Sequence, residues 1–233
     1  MIDWAVTGVM KLAQEVDPSF TDKSSSLLGQ LELIKNQHSE SWVRTFAERL
    51  YYTVNQYPRE DWHIALSEFQ LRSKLRCQDM LNPYCDNNTV ICYQGSWLGL
   101  GPLMLLSQHT NASIAAFDID NNSNTVSNFL CRDWDYHAYP QNVLNLSRDY
   151  NMYVNLITEH LDDITEWRKT LPPGATVLAS NTDIPDADHY STCNSLEEFI
   201  DQLGVLVPLS TDTVTCYRAD GSAMNRWIVL FTS

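Results

Sequence analysis

Apolar positions in the first third of the chain recur at helical spacing. Leu27, Leu28, Leu31 and Ile34 share one face of "SSLLGQLELIKNQ", and Trp42, Phe46, Leu50 and Val54 repeat at near-helical intervals in "SESWVRTFAERLYYTVNQY". A further helical pattern, "REDWHIALSEFQLRSKLRCQDML", starts just after Pro58. No strand-like alternation interrupts these segments, so residues 1–86 are expected to form a helical unit. The aromatic stripe of Trp42, Phe46, Tyr51, Tyr52, Tyr57, Trp62 and Phe69 is expected mainly to fill its core, with some rings available to close over a ligand.

After the turn-rich junction "NPYCDNN" the pattern changes. "TVICY" is a short β-branched strand, "GPLMLLSQH" a helix, "ASIAAFDID" a buried strand and "NNSNTVSNFLCRDW" a polar-capped helix. "YVNLI" and "ATVLAS" are further strands, placed around a helix in "EHLDDITEWRKTLPPG" that Pro172, Pro173 and Gly174 stop. Strands alternating with helices at this spacing predict an α/β fold over residues 87–233 with a mostly parallel sheet. "DTVTCY" and "RWIVLFTS", joined by the polar loop "RADGSAMN", add an antiparallel end.

Composition narrows the function. The chain of 233 residues is 44% hydrophobic and 19% charged, and no run approaches the roughly 18 apolar residues of a membrane span. The N-terminus has no basic leader or cleavage pattern, and the six cysteines form no C-x-x-C pair, so reduced thiols and a cytoplasmic address are expected. Neither a metal nor a disulfide framework is expected from that spacing. With 29 acidic and 15 basic residues the net charge is −14, which disfavours nucleic acid as a partner, and without an apolar span no membrane partner is expected. The one basic cluster, "RSKLR" at Arg72–Arg76, reads as the solvated face of a helix.

The candidate chemistry lies at the ends of the strands. Gly95-Ser96-Trp97-Leu98-Gly99-Leu100-Gly101 follows the first strand, where a doubly wound sheet binds its ligand, but G-x-x-x-G-x-G is not the dinucleotide fingerprint. "AAFDID" then brings Asp118 and Asp120 to the end of the next strand, roughly 20 residues on, where a carboxylate accepts both hydroxyls of a ribose. Asp120 alternatively caps the following helix. "GSWLG" lacks the serine-centred elbow of a hydrolase.

Taken together, "VICYQGSWLGLGPLMLL", "AAFDID", "NLITEHLDDITEWRKTLPPGATVLASN" and "RWIVLFTS" resemble the class I S-adenosylmethionine-dependent methyltransferases. They are most similar to a branch of small stand-alone members that includes azetidine-2-carboxylate synthase-like enzymes, with an Asn-x-x-x-Glu-His signature after the fourth strand. The resemblance covers about residues 88–233 and leaves residues 1–86 as a helical cap or lid. It implies a Rossmann-like sheet with an antiparallel C-terminal strand. It also implies S-adenosylmethionine as methyl donor or as substrate, with no metal.

By that resemblance, Gln94, Gly95, Ser96, Gly99 and Gly101 surround the methionine part of the cofactor, and Asp118 holds the ribose. Asn142 faces the adenine, at a position where family members more often carry Asp. Asn155, Glu159, His160, Ser180 and Asn181 line the reacting end, while Trp167 is read as core. Tyr93 and Trp97 offer aromatic faces to the sulfonium. With no inserted substrate domain, the expected partner is a small molecule or the cofactor alone. Two reactions stand side by side: methyl transfer to a metabolite, and attack of the cofactor's own α-amine on its γ-carbon, which gives azetidine-2-carboxylate and methylthioadenosine. A non-catalytic cofactor-binding module and a nicotinamide-dependent reductase are the alternatives. The oligomeric state is left open, a homodimer included.

Overall fold

The structure, a computed structural model, describes residues 4–22, 26–86, 88–109, 111–145, 150–218 and 220–233. Five helices come first: α1 (Trp4–Val16), α2 (Leu27–Gln37), α3 (Ser41–Gln56), α4 (Trp62–Ala65) and α5 (Glu68–Leu81). The segment after Pro58 is therefore two helices rather than one, broken at Ser67, whose extended backbone starts α5.

The remaining elements are β1 (Val90–Gln94), α6 (Leu100–Gln108), β2 (Ser113–Asp118), α7 (Asn121–Leu130), β3 (Tyr136–Pro140), β4 (Met152–Asn155), α8 (Ile164–Lys169), β5 (Thr176–Thr182), α9 (Leu196–Leu203), β6 (Ser210–Tyr217) and β7 (Ala223–Thr232). They build a seven-stranded sheet in the order β3-β2-β1-β4-β5-β7-β6. β7 is antiparallel to both neighbours, and the β1–β5 pairings are parallel. The helix read in "EHLDDITEWRKT" is divided: Thr158–His160 form a 3₁₀ turn, and α8 starts at Asp163, whose carboxylate caps Thr165 and Glu166 N–H.

Alternation along the strands gives the sheet two apolar faces. Ile91 and Tyr93 of β1 belong to one core cluster and Cys92 to the other. The first cluster is continuous from Ala5 and Leu12 through Phe46, Leu50 and Leu75 to Leu103 and Ile228, so the N-terminal helices share a core with the sheet. Gln78 Nε2 donates to Met104 O at 2.9 Å and links α5 to α6. The second cluster is centred on Trp167, Phe199 and Phe231, all fully buried. All six cysteines are free. Burial pushes the Cys77, Cys92 and Cys193 thiols up to about 12. Among the described residues no helix is long and apolar enough to cross a membrane.

Candidate functional site

The glycine turn after β1 departs from ordinary backbone in three places: Gly95 at φ 67°, Trp97 at φ 45° and Gly99 at φ 83°. Gly95 is required twice over, by its left-handed φ and by Ile157, whose side chain would lie 2.1 Å from an added Cβ. Trp97 holds its conformation without that freedom because its N–H donates to Asp118 Oδ2 at 2.9 Å. Asp120 N–H donates to the other oxygen, Oδ1, at 3.0 Å. Each carboxylate oxygen has two lone pairs, so Asp118 retains acceptor capacity at the end of β2. Asp120 is the N-cap of α7, accepting from Asn122 and Ser123 N–H.

Above these strand ends lies a cavity of about 780 Å³. It is lined by Tyr93 of β1, Gly95, Ser96 and Trp97 of the turn after β1, and Asp118 at the end of β2, with Leu156, Ile157, Glu159 and His160 following β4. Trp4, Phe69 and Lys74 of the N-terminal helices line it as well, together with Arg226 of β7 and His189 beyond β5. Seven of the sequence-derived site residues therefore line this one cavity: Tyr93, Gly95, Ser96, Trp97, Asp118, Glu159 and His160.

The other seven lie outside the cavity lining. Gln94 is buried, and its Oε1 accepts from Trp167 Nε1 at 2.7 Å and Asn155 Nδ2 at 3.2 Å. Asn155 Oδ1 accepts from Ile157 N–H, which holds the β4 exit. Asn181 is saturated: its amide donates to Thr158 Oγ1 and Ser191 O, and its carbonyl accepts from Thr182 and Cys193 N–H. Ser180 Oγ accepts from Arg226 Nη1 at 3.3 Å. Gly99 packs on Ser127 and Gly101 on the Tyr93 hydroxyl. Asn142, exposed beyond β3, accepts from Leu144 N–H.

Arg226, in "RWIVLFTS", Lys74, in "RSKLR", and His189 were given no site role by sequence reasoning, which missed all three. Arg226 is 7% exposed and pairs with buried Glu159, Nη2 to Oε1 at 3.2 Å. Its Nη1 donates to Leu156 O at 2.7 Å, and the guanidinium lies 5.5 Å from the Phe69 ring centroid. Lys74 donates to Gln70 Oε1 at 2.6 Å. Burial, reinforced by the positive charge of Arg226, lowers its ammonium to about 7. "RSKLR" is thus divided. Arg72 and Arg76 pair with Glu15, while Lys74, read as solvated, turns into the cavity wall. The aromatic stripe divides as well, because Phe46 and Trp62 are core whereas Phe69 is both buried and cavity-lining.

A seven-stranded sheet of this order with one antiparallel strand is the class I methyltransferase fold. Solved structures agree. The N-methyltransferase NodS from Bradyrhizobium japonicum WM9, in complex with S-adenosyl-L-homocysteine, superposes with a TM-score of 0.56 at 14% identity, covering 79% of this chain and 100% of that one. Geranyl diphosphate methyltransferase in complex with S-adenosylmethionine gives 0.55 at 13% identity, covering 76% and 92%. At such identities the likeness is one of fold. No family model and no curated protein matches the sequence.

Proposed function

We propose that the chain binds S-adenosylmethionine in this cavity and uses it in small-molecule chemistry. The observation that carries the reading is Asp118: a carboxylate at the end of β2, in the cavity wall, with lone pairs left for two ribose hydroxyls. Beside it the Gly95–Trp97 backbone borders the cavity with no side chain at Gly95 to obstruct a ligand. When bound, the cofactor supplies an electrophilic carbon on a sulfonium. Tyr93, Trp97 and Phe69 offer aromatic faces to that cation. Glu159 and His160 border the reacting end. Gln94, Asn155, Ser180 and Asn181 act as positioning residues that hold the strand ends, and Gly99 and Gly101 set the turn.

Lys74 supplies the proton chemistry. With its ammonium lowered to about 7, a large share of the amine is neutral at physiological pH and takes a proton from an attacking amine or hydroxyl. The cavity lies in the upper part of the ~300–1,000 Å³ range of ligand pockets, which favours methyl transfer to a small acceptor beside the cofactor. Cyclisation to azetidine-2-carboxylate is the second reading, supported by the same lysine, since the cofactor's α-amine must lose a proton before it attacks. The net charge of −14 supports a small molecule over nucleic acid, and the free thiols suit the cytoplasm.

Mass spectrometry of the purified chain incubated with S-adenosylmethionine alone separates these readings. Methylthioadenosine formed together with a C4 imino acid establishes cyclisation. Bound but stable cofactor, converted to S-adenosylhomocysteine only when small-molecule acceptors are added, establishes methyl transfer. Binding without turnover under both conditions leaves a non-catalytic module, and absence of binding overturns the proposal.

A further inference from the structure

Glu159, His160 and His189 are the one group of three metal-ligating side chains that meet among the described residues, with one ligand atom from each within 4.8 Å of the others. The two imidazoles stand edge to face, ring centroids 4.6 Å apart. Each is tied at Nδ1 to a backbone carbonyl: His160 to Asp188 O at 3.0 Å and His189 to Ile184 O at 2.7 Å. A carbonyl only accepts, so each Nδ1 carries a proton, and in the neutral ring each Nε2 then keeps a lone pair. A carbonyl holding the far nitrogen is the support that orients a metal-bound histidine and fixes its tautomer.

Glu159 completes the set. Its side chain is 3% exposed and its Oε1 is held by Arg226, but the buried Oε2 has no hydrogen-bond partner. A buried carboxylate oxygen without a partner is costly in a folded protein. All three residues line the cavity. Two imidazoles and a carboxylate that keeps one unpartnered buried oxygen therefore lie together at the cavity lining.

We infer that Glu159, His160 and His189 form a binding site for a first-row divalent transition-metal ion in the side wall of the cavity. Two imidazoles and one carboxylate are the donor set that Zn²⁺, Fe²⁺ and Co²⁺ accept, and Ca²⁺ and Mg²⁺ prefer oxygen-only sets. Three protein ligands leave at least one coordination position for a molecule in the cavity. With one carboxylate against a doubly charged ion and Arg226 behind it, the open position attracts an anionic oxygen or sulfur, such as an ionised hydroxyl or thiol of a small substrate. The cysteine spacing shows nothing of this site because no cysteine takes part. Metal binding here does not depend on the cofactor reading.

The test is titration of the chelator-stripped full-length protein with Zn²⁺ by calorimetry and with Co²⁺ by visible absorption. Affinity for S-adenosylhomocysteine is measured separately on the metal-free protein. The expected result is one ion per chain, with Co²⁺ giving ligand-field bands of low-symmetry nitrogen and oxygen coordination. His160→Gln and His189→Gln, at exposed and half-buried positions, should each weaken the ion by about tenfold or more while the far-ultraviolet circular dichroism of the metal-free protein stays that of the parent. No saturable binding at one ion per chain overturns the site, as does equal affinity in the double variant. Failure to bind S-adenosylhomocysteine with metal binding intact would count against the cofactor alone.

Discussion

The wall of the cavity that carries Asp118 and the wall that carries Glu159 face the same space, yet they are held by different kinds of force. The Asp118 wall is backbone: a left-handed turn between β1 and α6, fixed by N–H bonds from Trp97 and Asp120 and by a glycine pressed on Ile157. The Glu159 wall is charge. A carboxylate after β4 pairs with a guanidinium from β7, and an amine from α5 lies within reach of both charges, on elements far apart in the chain. The first wall tolerates changes in side chains but not in backbone conformation, whereas in the second each charge depends on its partner.

The largest effect should come from breaking that dependence. Arg226→Ala removes the partner of Glu159 together with donors to Leu156 O and Ser180 Oγ. Stranding the buried carboxylate should cost about 3–5 kcal/mol, read as a lowered urea midpoint. A midpoint within about 1 kcal/mol of the parent would mean that water reaches Glu159 and that the wall is not charge-supported. Gln94→Ala should cost somewhat less, about 2–4 kcal/mol, because it leaves Trp167 Nε1 and Asn155 Nδ2 buried without their acceptor. Its S-adenosylhomocysteine affinity should hold, since Gln94 stands behind the wall. A selective loss of affinity with unchanged stability would return Gln94 to the ligand.

Asp118→Ala reverses that pattern. It removes two backbone hydrogen bonds at a partly exposed turn, for a stability loss of about 1 kcal/mol. If the carboxylate holds a ribose, S-adenosylhomocysteine affinity should fall roughly 10–100-fold, about 1.4–2.8 kcal/mol. Calorimetry showing unchanged affinity would remove the ribose assignment and leave Asp118 as a turn-former.

The contrast between the walls also explains what the sequence disclosed. Gly95 and Asp118 are legible because a left-handed turn and a strand-end acid leave marks within a few residues of chain. Trp167 was readable as core, and it is fully buried. The strand β3 carries Tyr136, His137, Ala138, Tyr139 and Pro140, an edge segment too polar and too short to show a period, and was missed. α9 escaped notice inside a polar stretch, although Ser195 caps Glu198 N–H as an N-cap signature would have it. Arg226 and Lys74 reach the cavity wall only through packing between elements far apart in the chain, which no local pattern discloses. Asn181 shows the converse: it occupies a motif position, but its hydrogen-bonding capacity is used up by Thr158, Ser191, Thr182 and Cys193.

Lys74 gives the finest test of the charged wall, because its effect is a slope with pH rather than a loss. Its ammonium is lowered from 10.5 to about 7 in the folded chain, whereas in the unfolded chain it returns to the ordinary value. Between those values the unfolded state holds a proton that the folded state has released, so stability rises with pH across the window. Below about 7 both states are charged and the penalty of burying the ammonium is present in full. Towards 10.5 the unfolded state loses its proton too and the penalty is gone. Urea midpoints of the parent chain should therefore climb from neutral to alkaline pH by more than those of Lys74→Met, which keeps the side-chain length without the titrating group. Equal slopes in the two proteins would mean that Lys74 stays charged at neutral pH and cannot serve as the base of the cavity.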